Sequence, residues 1–379
     1  MPISIGVLRE AAEGETRVAL TPPVVALLVR DGLDVIVEKG AGTGAGFADA
    51  AYVAAGATLA PRKVTLGANV VVGVGRPDAA STKAIKPGQA LVGLLDSWRE
   101  PQELTALAER GVHVLSLDRL PRQISRAQTM DALSSQASIA GYRAALVAAS
   151  TYGRYFPMMV TAAGTAKPAS VLVLGAGVAG LQAIATARRL GARVTGYDVR
   201  PSAREEVTSL GAAFLATSVT AVGEGGYARE LTAEESAAQR AELSAAIAGF
   251  DIVITTAKVP GRHPPELVDA ATVAAMRGGS VIVDLAASDL GGNVAGVAPD
   301  ATTVTANDVT LIGAGEIARE MAPAASDAYA RNVAAVIAAI VREGDLDVDL
   351  TDEVVSALLG VEAHQVAAHQ VAAHQEVPA

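Results

Sequence analysis

The chain contains no cysteine in 379 residues, which excludes disulfides, thiol redox chemistry and any cysteine-ligated metal while leaving cytosolic residence natural. Histidine is scarce as well. Of the five, His113 and His263 stand alone and His364, His369 and His374 lie in the final segment, so no metal site is expected. A basic excess is also missing: 30 Lys and Arg face 40 Asp and Glu, for a formal charge of -10 and a pI near 5.1. That balance disfavours general polyanion binding and makes nucleic acid a poor partner. Long apolar runs are lacking too. The N-terminal MPISIGVLRE meets charge after a short strand-like piece and has no signal-peptide core. The passage VLVLGAGVAGLQAIATA is broken by glycines and slightly short for a bilayer span. The expectation is that nothing here crosses a membrane, which leaves attachment to a membrane protein open.

What is present is apolar residue in quantity, 51% of the chain, enough for substantial cores and, at this length, for two domains. The N-terminal third alternates short β-rich runs (ISIGVL, DVIVEKG, NVVVGVG, GQALVGLL, VHVLSL) with helical segments such as TPPVVALLVRDG and PQELTALAERG. That alternation predicts a largely parallel sheet covered by crossover helices. A second series, VLVL, RVTGYD, AAFL, FDIVITTA, SVIVDLA and VTLIG, predicts a doubly wound sheet of 3-2-1-4-5-6 order. The fold class is therefore α/β, two Rossmann-like domains with parallel sheets joined by long helices. Residues 1–125 with about 325–360 form the first domain, 126–324 the second with its linking helix, and 361–379 a tail. The tail's AHQ repeats are too short for a solenoid unit and read as a helical extension or mobile tail; weak metal capture by their histidines is a minor alternative.

The strongest chemical signal is Gly175, Gly177 and Gly180 in G-x-G-x-x-G spacing directly after a β-run. The first glycine permits the tight turn, the second lets a pyrophosphate approach the backbone, and the third allows close helix packing. Free N–H groups of the following helix start then face the phosphates, with Val178 and Ala179 as further contacts. A second strand ends at Asp198, whose carboxylate can accept the adenosine ribose hydroxyls and repel a 2′-phosphate. This favours NAD(H) over NADP(H), against the alternative of a solvated strand-end carboxylate. Val199 and Arg200 lie beside it, and Arg200 complicates the exclusion of NADP(H), since a guanidinium can pair with that phosphate. The other glycine loop, GAGTGAG from Gly40 to Gly46, precedes a short helical piece and no acidic strand end, and reads better as a turn or substrate-facing loop.

Proton-transfer chemistry is poorly supplied. His113 sits inside VHVLSL, and His263 and Lys258 sit in the loop after FDIVITTA, each more simply a structural or solvated residue. The segment from about Ser125 to Tyr152 reads as one long helix rich in Ala and Ser, able to pack closely. Its start carries Gln128, Asp131, Ser134 and Ser135 on a shared face. Those groups suit the fixing of a nicotinamide and its ribose, and equally suit an N-terminal capping network.

The chain resembles the NAD(H)-binding alpha subunit of proton-translocating NAD(P) transhydrogenase and, more distantly, alanine dehydrogenase. The matching text is GETRVALTP (Gly14–Pro22), ISRAQTMDALSSQASIAGYRA (Ile124–Ala144), VLVLGAGVAGLQA (Val171–Ala183), GYDVRP (Gly196–Pro201) and GGYARE (Gly225–Glu230). The resemblance places the family's Gln, Asp and Ser beside NAD(H) at Gln128, Asp131 and Ser134, and a closing-loop tyrosine at Tyr227. The family's PRISRAQ is PRQISRAQ here, so Gln123 falls in the arginine register and Arg122 is displaced by one residue; Arg126 is another candidate. The usual GYTDLPSR-like segment is replaced by LIGAGEIAREMAPAASDAYARN, which leaves Glu316 and Arg319 unassigned. Alanine dehydrogenases use a Lys and a His where this chain reads VGVGRP and LLDSW, and Arg76 cannot serve as a base near neutral pH.

The resemblance implies a Re/Si-specific, proton-translocating NAD(P)+ transhydrogenase. In it this chain, a homodimer, binds NAD(H), while NADP(H) sits on a partner subunit and a membrane-spanning subunit couples hydride transfer to proton movement. It also implies a peripheral place on the cytoplasmic side of the inner or plasma membrane, with the chain soluble when isolated. An amino-acid dehydrogenase of the alanine type and an NAD(H)-sensing binding protein are the competing readings.

Overall fold

The computed structural model describes residues 2–99, 101–221, 229–259 and 261–359. Tyr227 and the repeat tail, with its three histidines, lie outside the described residues. By contacts the chain divides into two units, residues up to 136 together with those from 319 onward, and residues 137–318. Sequence pattern alone puts these boundaries near 125 and 325. The shift of the first boundary has a local cause: Asn332 Nδ2 donates to Thr129 O at 2.8 Å, Ser135 Oγ to Asn332 Oδ1 at 2.8 Å, and buried Gln136 Nε2 to Ala325 O at 3.0 Å. These bonds tie residues 129–136 to the 322–340 helix of the first unit.

The first unit is built on six parallel strands, β1 (Ser4–Val7), β2 (Asp34–Glu38), β3 (Thr58–Ala60), β4 (Val70–Val72), β5 (Ala90–Gly93) and β6 (His113–Ser116), in the order β3-β2-β1-β4-β5-β6. Strand period 2 sorts the side chains onto two faces. Val70 and Val72 enter one apolar cluster with Ile5, Val7 and Val92, while Val71 enters the other with Leu91 and Val114. Both faces are covered, so these strands are continuously apolar rather than alternating. The helix Pro22–Arg30 opens with prolines in its first turn, where the missing N–H costs no hydrogen bond.

The second unit carries a separate hairpin, β7 (Met159–Thr161) and β8 (Gly164–Ala166), and a larger sheet. Its strands are β9 (Ser170–Leu174), β10 (Arg193–Tyr197), β11 (Ala213–Phe214), β12 (Ile252–Thr255), β13 (Val281–Asp284), β14 (Thr302–Val304) and β15 (Thr310–Gly313), ordered β11-β10-β9-β12-β13-β15-β14. The six strands read from sequence take the 3-2-1-4-5-6 arrangement. A short antiparallel edge strand, β14, is added beside β15; its residues are exposed, so it carries no apolar signal. Val171 and Val173 point to one core, Leu172 and Leu174 to the other.

The long helix read from about Ser125 is in fact two pieces, a 3-10 turn Ser125–Met130 and an α-helix Ala132–Thr151. Asp131 separates them with a non-helical ψ of 82°. Its side chain accepts the N–H of Ser134 at 2.8 Å, an N-cap that starts the helix at the next residue. Within the second unit this helix lies against the helix Val178–Arg189: a Cβ added at Gly141 would stand 2.0 Å from Ala179 O. The small residues of the sequence are thus used for close backbone approach. Among the described residues no helix is long and apolar enough to cross a membrane.

Candidate nucleotide and hydride-transfer sites

The glycine loop joins the end of β9 to the 178–189 helix, and β9 lies between β10 and β12, the point where strand order reverses. In open α/β sheets ligands bind outside the carboxyl ends of the strands at that point. Gly175 has φ +97°, and Thr256 Oγ1 would lie 2.5 Å from a Cβ there. A Cβ at Gly180 would sit 1.9 Å from Gly175 O. Both glycines are thus required by the protein's own packing. Gly177 differs: its φ of -77° and ψ of -167° suit any residue, and no heavy atom lies within 4 Å of its would-be Cβ. The fold gives no reason for glycine at 177, and close approach of a phosphate to the backbone does. The residues present therefore fit a dinucleotide. In the GAGTGAG loop the glycines have internal reasons instead, since a Cβ at Gly42 would meet Tyr52 at 2.6 Å and one at Gly44 would meet Thr16 O at 2.8 Å.

Asp198 lies at the end of β10, with its carboxylate already fully engaged. Oδ1 accepts Arg200 N (2.9 Å) and Nε (3.0 Å); Oδ2 accepts Ala176 N (2.8 Å) and Arg200 NH2 (3.0 Å). That accounts for about four lone-pair sites. A ribose diol can reach the carboxylate only as Arg200 yields its place, and loss of Asp198 would release that guanidinium towards a phosphate. Asp198→Ala is therefore expected to weaken NADH binding about tenfold or more and to narrow the preference over NADPH by a larger factor. Parallel titrations with the two reduced nucleotides check this; an unchanged ratio would rule it out.

In the first unit the structure brings Arg122, Asp131 and Ser134 together. Arg122 Nε donates to Asp131 Oδ2 at 2.9 Å and NH2 to Ser134 Oγ at 2.5 Å. The displaced register at Gln123 thus does not keep Arg122 away. Arg126 points elsewhere, with a bidentate pair to Asp352 at 2.8 and 2.5 Å. Gln128 is exposed on the 3-10 turn, and no hydrogen bond of its side chain occurs among the described residues. One oxygen of Asp131 holds the helix start and the other holds Arg122, so the cap and the Arg122–Ser134 cluster share this carboxylate.

The other sequence candidates are absorbed locally. His263 Nδ1 meets Leu290 O at 2.5 Å, Lys258 stands 3.7 Å from Glu316, and His113 is half-buried in β6, where burial lowers its pKa. Arg319 packs its guanidinium against Gly14, and its carbonyl accepts Thr16 Oγ1 at 2.5 Å. Arg76 donates to Leu95 O at 2.8 Å and to Glu103 Oε2 at 2.8 Å. Among the described residues no group of three His, Asp or Glu side chains could hold a metal ion.

Three polar groups carry no signal strong enough to be singled out from sequence. Glu10 accepts Val74 N at 2.7 Å and Gly75 N at 3.2 Å, and burial pushes its carboxyl up to about 7. A carboxyl raised above its unfolded value of 4.5 holds its proton longer in the native state, so its contribution is complete below that pH and is lost as pH rises towards 7. Between pH 5 and 8 the wild type is expected to lose on the order of 3 kcal/mol that Glu10→Gln, a mimic of the protonated acid, does not lose. Denaturant midpoints at the two pH values test it, and parallel behaviour of the two proteins refutes it. In the second unit Asp284 and Asn293 are fully buried, and an Asp284 carboxylate oxygen accepts Asn293 N at 2.7 Å. Only the sequence SVIVDLA hints at the first, as a carboxylate ending an otherwise apolar strand.

Comparison with known proteins decides the family. Residues 6–140 match the model of the alanine dehydrogenase/PNT N-terminal domain, and residues 144–369 that of the alanine dehydrogenase/PNT C-terminal domain. The chain belongs to the alanine dehydrogenase/PNT family. Within it, the chain is 42% identical over 361 residues to NAD(P) transhydrogenase subunit alpha of Cereibacter sphaeroides, covering 93% of this chain and 69% of that one. It is 40% identical over 355 residues to NAD(P) transhydrogenase subunit alpha of Haemophilus influenzae, covering 92% of this chain and 69% of that one. The crystal structure of transhydrogenase from Sinorhizobium meliloti superposes with a TM-score of 0.83 at 40% identity, covering 93% of this chain and 97% of the other. These alanine dehydrogenase/PNT relatives place the chain with transhydrogenase alpha subunits, in an oxidoreductase family.

Proposed function

We propose that this chain is the NAD(H)-binding subunit of a proton-translocating NAD(P) transhydrogenase. It works as a homodimer, peripheral on the cytoplasmic side of the inner or plasma membrane, with a membrane-spanning subunit and an NADP(H)-binding subunit as partners. When bound, NADH supplies a hydride, two electrons and a proton leaving together for NADP+ on the partner subunit. Because that transfer releases no proton to a side chain, the chain needs no general base, and its work is alignment.

Gly175, Gly177, Val178, Ala179 and Gly180 take the pyrophosphate at a helix start; Asp198, with Val199 and Arg200 beside it, takes the adenosine ribose. Gln128, Asp131 and Ser134, with Arg122 bracing the last two, orient the nicotinamide and its ribose, and Tyr227 closes over the nucleotide. The exposed apolar side chains Met158 (63%) and Val160 (74%) at the β7–β8 hairpin support the homodimer, since an isolated two-stranded ribbon is marginal in water.

The observation that carries the choice within the family is the VGVGRP segment. Where an alanine-type dehydrogenase reads K-E-P, this chain reads Gly75, Arg76 and Pro77, so the lysine is missing, and the neighbouring guanidinium of Arg76 is spent on Leu95 O and Glu103. Reconstitution with candidate membrane and NADP(H)-binding subunits tests the reading, with NADP+-dependent NADH oxidation and proton uptake or release measured together. Tight NADH binding without transfer to any partner would make the chain a sensor instead. Robust NADH formation from alanine and NAD+ alone would make it an amino-acid dehydrogenase.

A further inference from the structure

We infer that Asn293 is a positioning residue for the nucleotide site of the second unit, acting through the loop that follows β12. The inference rests on the dinucleotide reading of the glycine loop given above. Residues 256–258 leave β12 beside the carboxyl end of β9, at the point of strand-order reversal. Thr256 N donates to Leu174 O at 2.8 Å, and Thr256 Oγ1 donates to Gly175 O at 3.1 Å. The loop therefore holds the first turn of the phosphate cradle from outside.

Among the described residues, both peptide groups of Ala257, in the middle of the loop, are held by one side chain. Asn293 Oδ1 accepts Ala257 N at 2.9 Å, while its Nδ2 donates to Ala257 O at 2.9 Å and Pro265 O at 2.7 Å. Both polar groups of one peptide residue are thus clamped by one amide, a pattern that no carboxylate or hydroxyl reproduces. Asn293 is in turn fixed from behind. Asp284, fully buried at the end of β13, accepts Asn293 N at 2.7 Å, Ala286 N at 2.8 Å and Thr255 Oγ1 at 2.8 Å. A Cβ at Gly292 would stand 2.4 Å from Asp284 Oδ2, so the chain must be glycine there to bring Asn293 into place. The linkage runs from Asp284 through Asn293, Ala257 and Thr256 to Gly175, all within the second unit. It lies at low local dielectric, where satisfied networks are stiff and broken ones costly.

The test is NADH titration of the full chain by nucleotide fluorescence for the wild type, Asn293→Ala, Thr256→Val and the double variant. Each single change is expected to raise the Kd about tenfold, the scale of one lost buried hydrogen bond. Because both act through the same loop, the double variant is expected to fall well short of the roughly hundredfold product. A purely structural asparagine would show no such coupling to Thr256. Single variants within about twofold of the wild type, or a double variant equal to the product, would overturn the inference. Should Asn293→Ala melt below the assay temperature, Thr256→Val and Asn293→Asp decide. The latter keeps the acceptor for Ala257 N, turns an oxygen towards Ala257 O and Pro265 O, and carries the same tenfold expectation. A wild type that shows no saturable NADH binding would instead remove the dinucleotide reading beneath the inference.

Discussion

Gly177→Ala is expected to fold as the wild type does and to lose NADH affinity by about a hundredfold. The backbone at 177 is extended and a Cβ there meets no protein atom. The only cost to the fold is that of a poorer residue at a helix N-cap, roughly 1 kcal/mol or less. The same methyl group would occupy the approach to the helix N-terminus, where a pyrophosphate must lie against bare backbone. Gly180→Ala is the contrasting case. Its Cβ would be driven to 1.9 Å from Gly175 O, so the helix must shift, and melting temperature and affinity should fall together. Calorimetry and NADH titration on the two variants separate a ligand-facing glycine from a packing glycine. Equal affinity of Gly177→Ala and the wild type would refute the assignment of this loop to phosphate.

Gln128→Asn should show the opposite division, between binding and transfer. The Gln128 side chain is exposed on the 125–130 turn, so shortening it costs the fold little. If it aligns the nicotinamide, a displacement of about 1 Å should slow transfer roughly a hundredfold while the NADH Kd stays within about threefold. Single-turnover transfer to NADP+ in the reconstituted complex, set beside equilibrium titration, gives both numbers. Equal losses in both would point to binding or folding damage and remove Gln128 from the alignment role. Asp131 and Ser134 would not give so clean an answer. The same Asp131 carboxylate caps the 132–151 helix and holds Arg122, so changing it alters structure and the proposed site at once.

That dual use explains a limit of reading this segment as sequence. Capping network and nucleotide-facing cluster are alternatives along the chain, and in the fold Asp131 serves as the cap while gathering Arg122 and Ser134. The same holds for glycines. GAGTGAG and GAGVAG look alike as strings; the first fills against Tyr52 and Thr16, and only in the second does the middle glycine pair an ordinary backbone with no internal neighbour at a helix start. Arg122 and Arg126 likewise cannot be ranked by register, because the choice depends on Asp352, more than two hundred positions away.

By itself the sequence determined the two α/β units, the strands of both large sheets apart from the edge strand β14, and the order of the six it found in the second. Those follow from local apolar runs and from turn glycines, signals carried by adjacent residues. It also determined the glycine-loop position, since a turn, a strand before it and a helix after it are all contiguous. The tertiary structure alone decided which arginine reaches Asp131, that Arg200 fills the Asp198 carboxylate, and that Asp284 and Asn293 brace the loop beside Gly175. Each of these is a hydrogen bond whose partner is chosen by burial and backbone path rather than by spacing, and such choices leave no periodic trace along the chain.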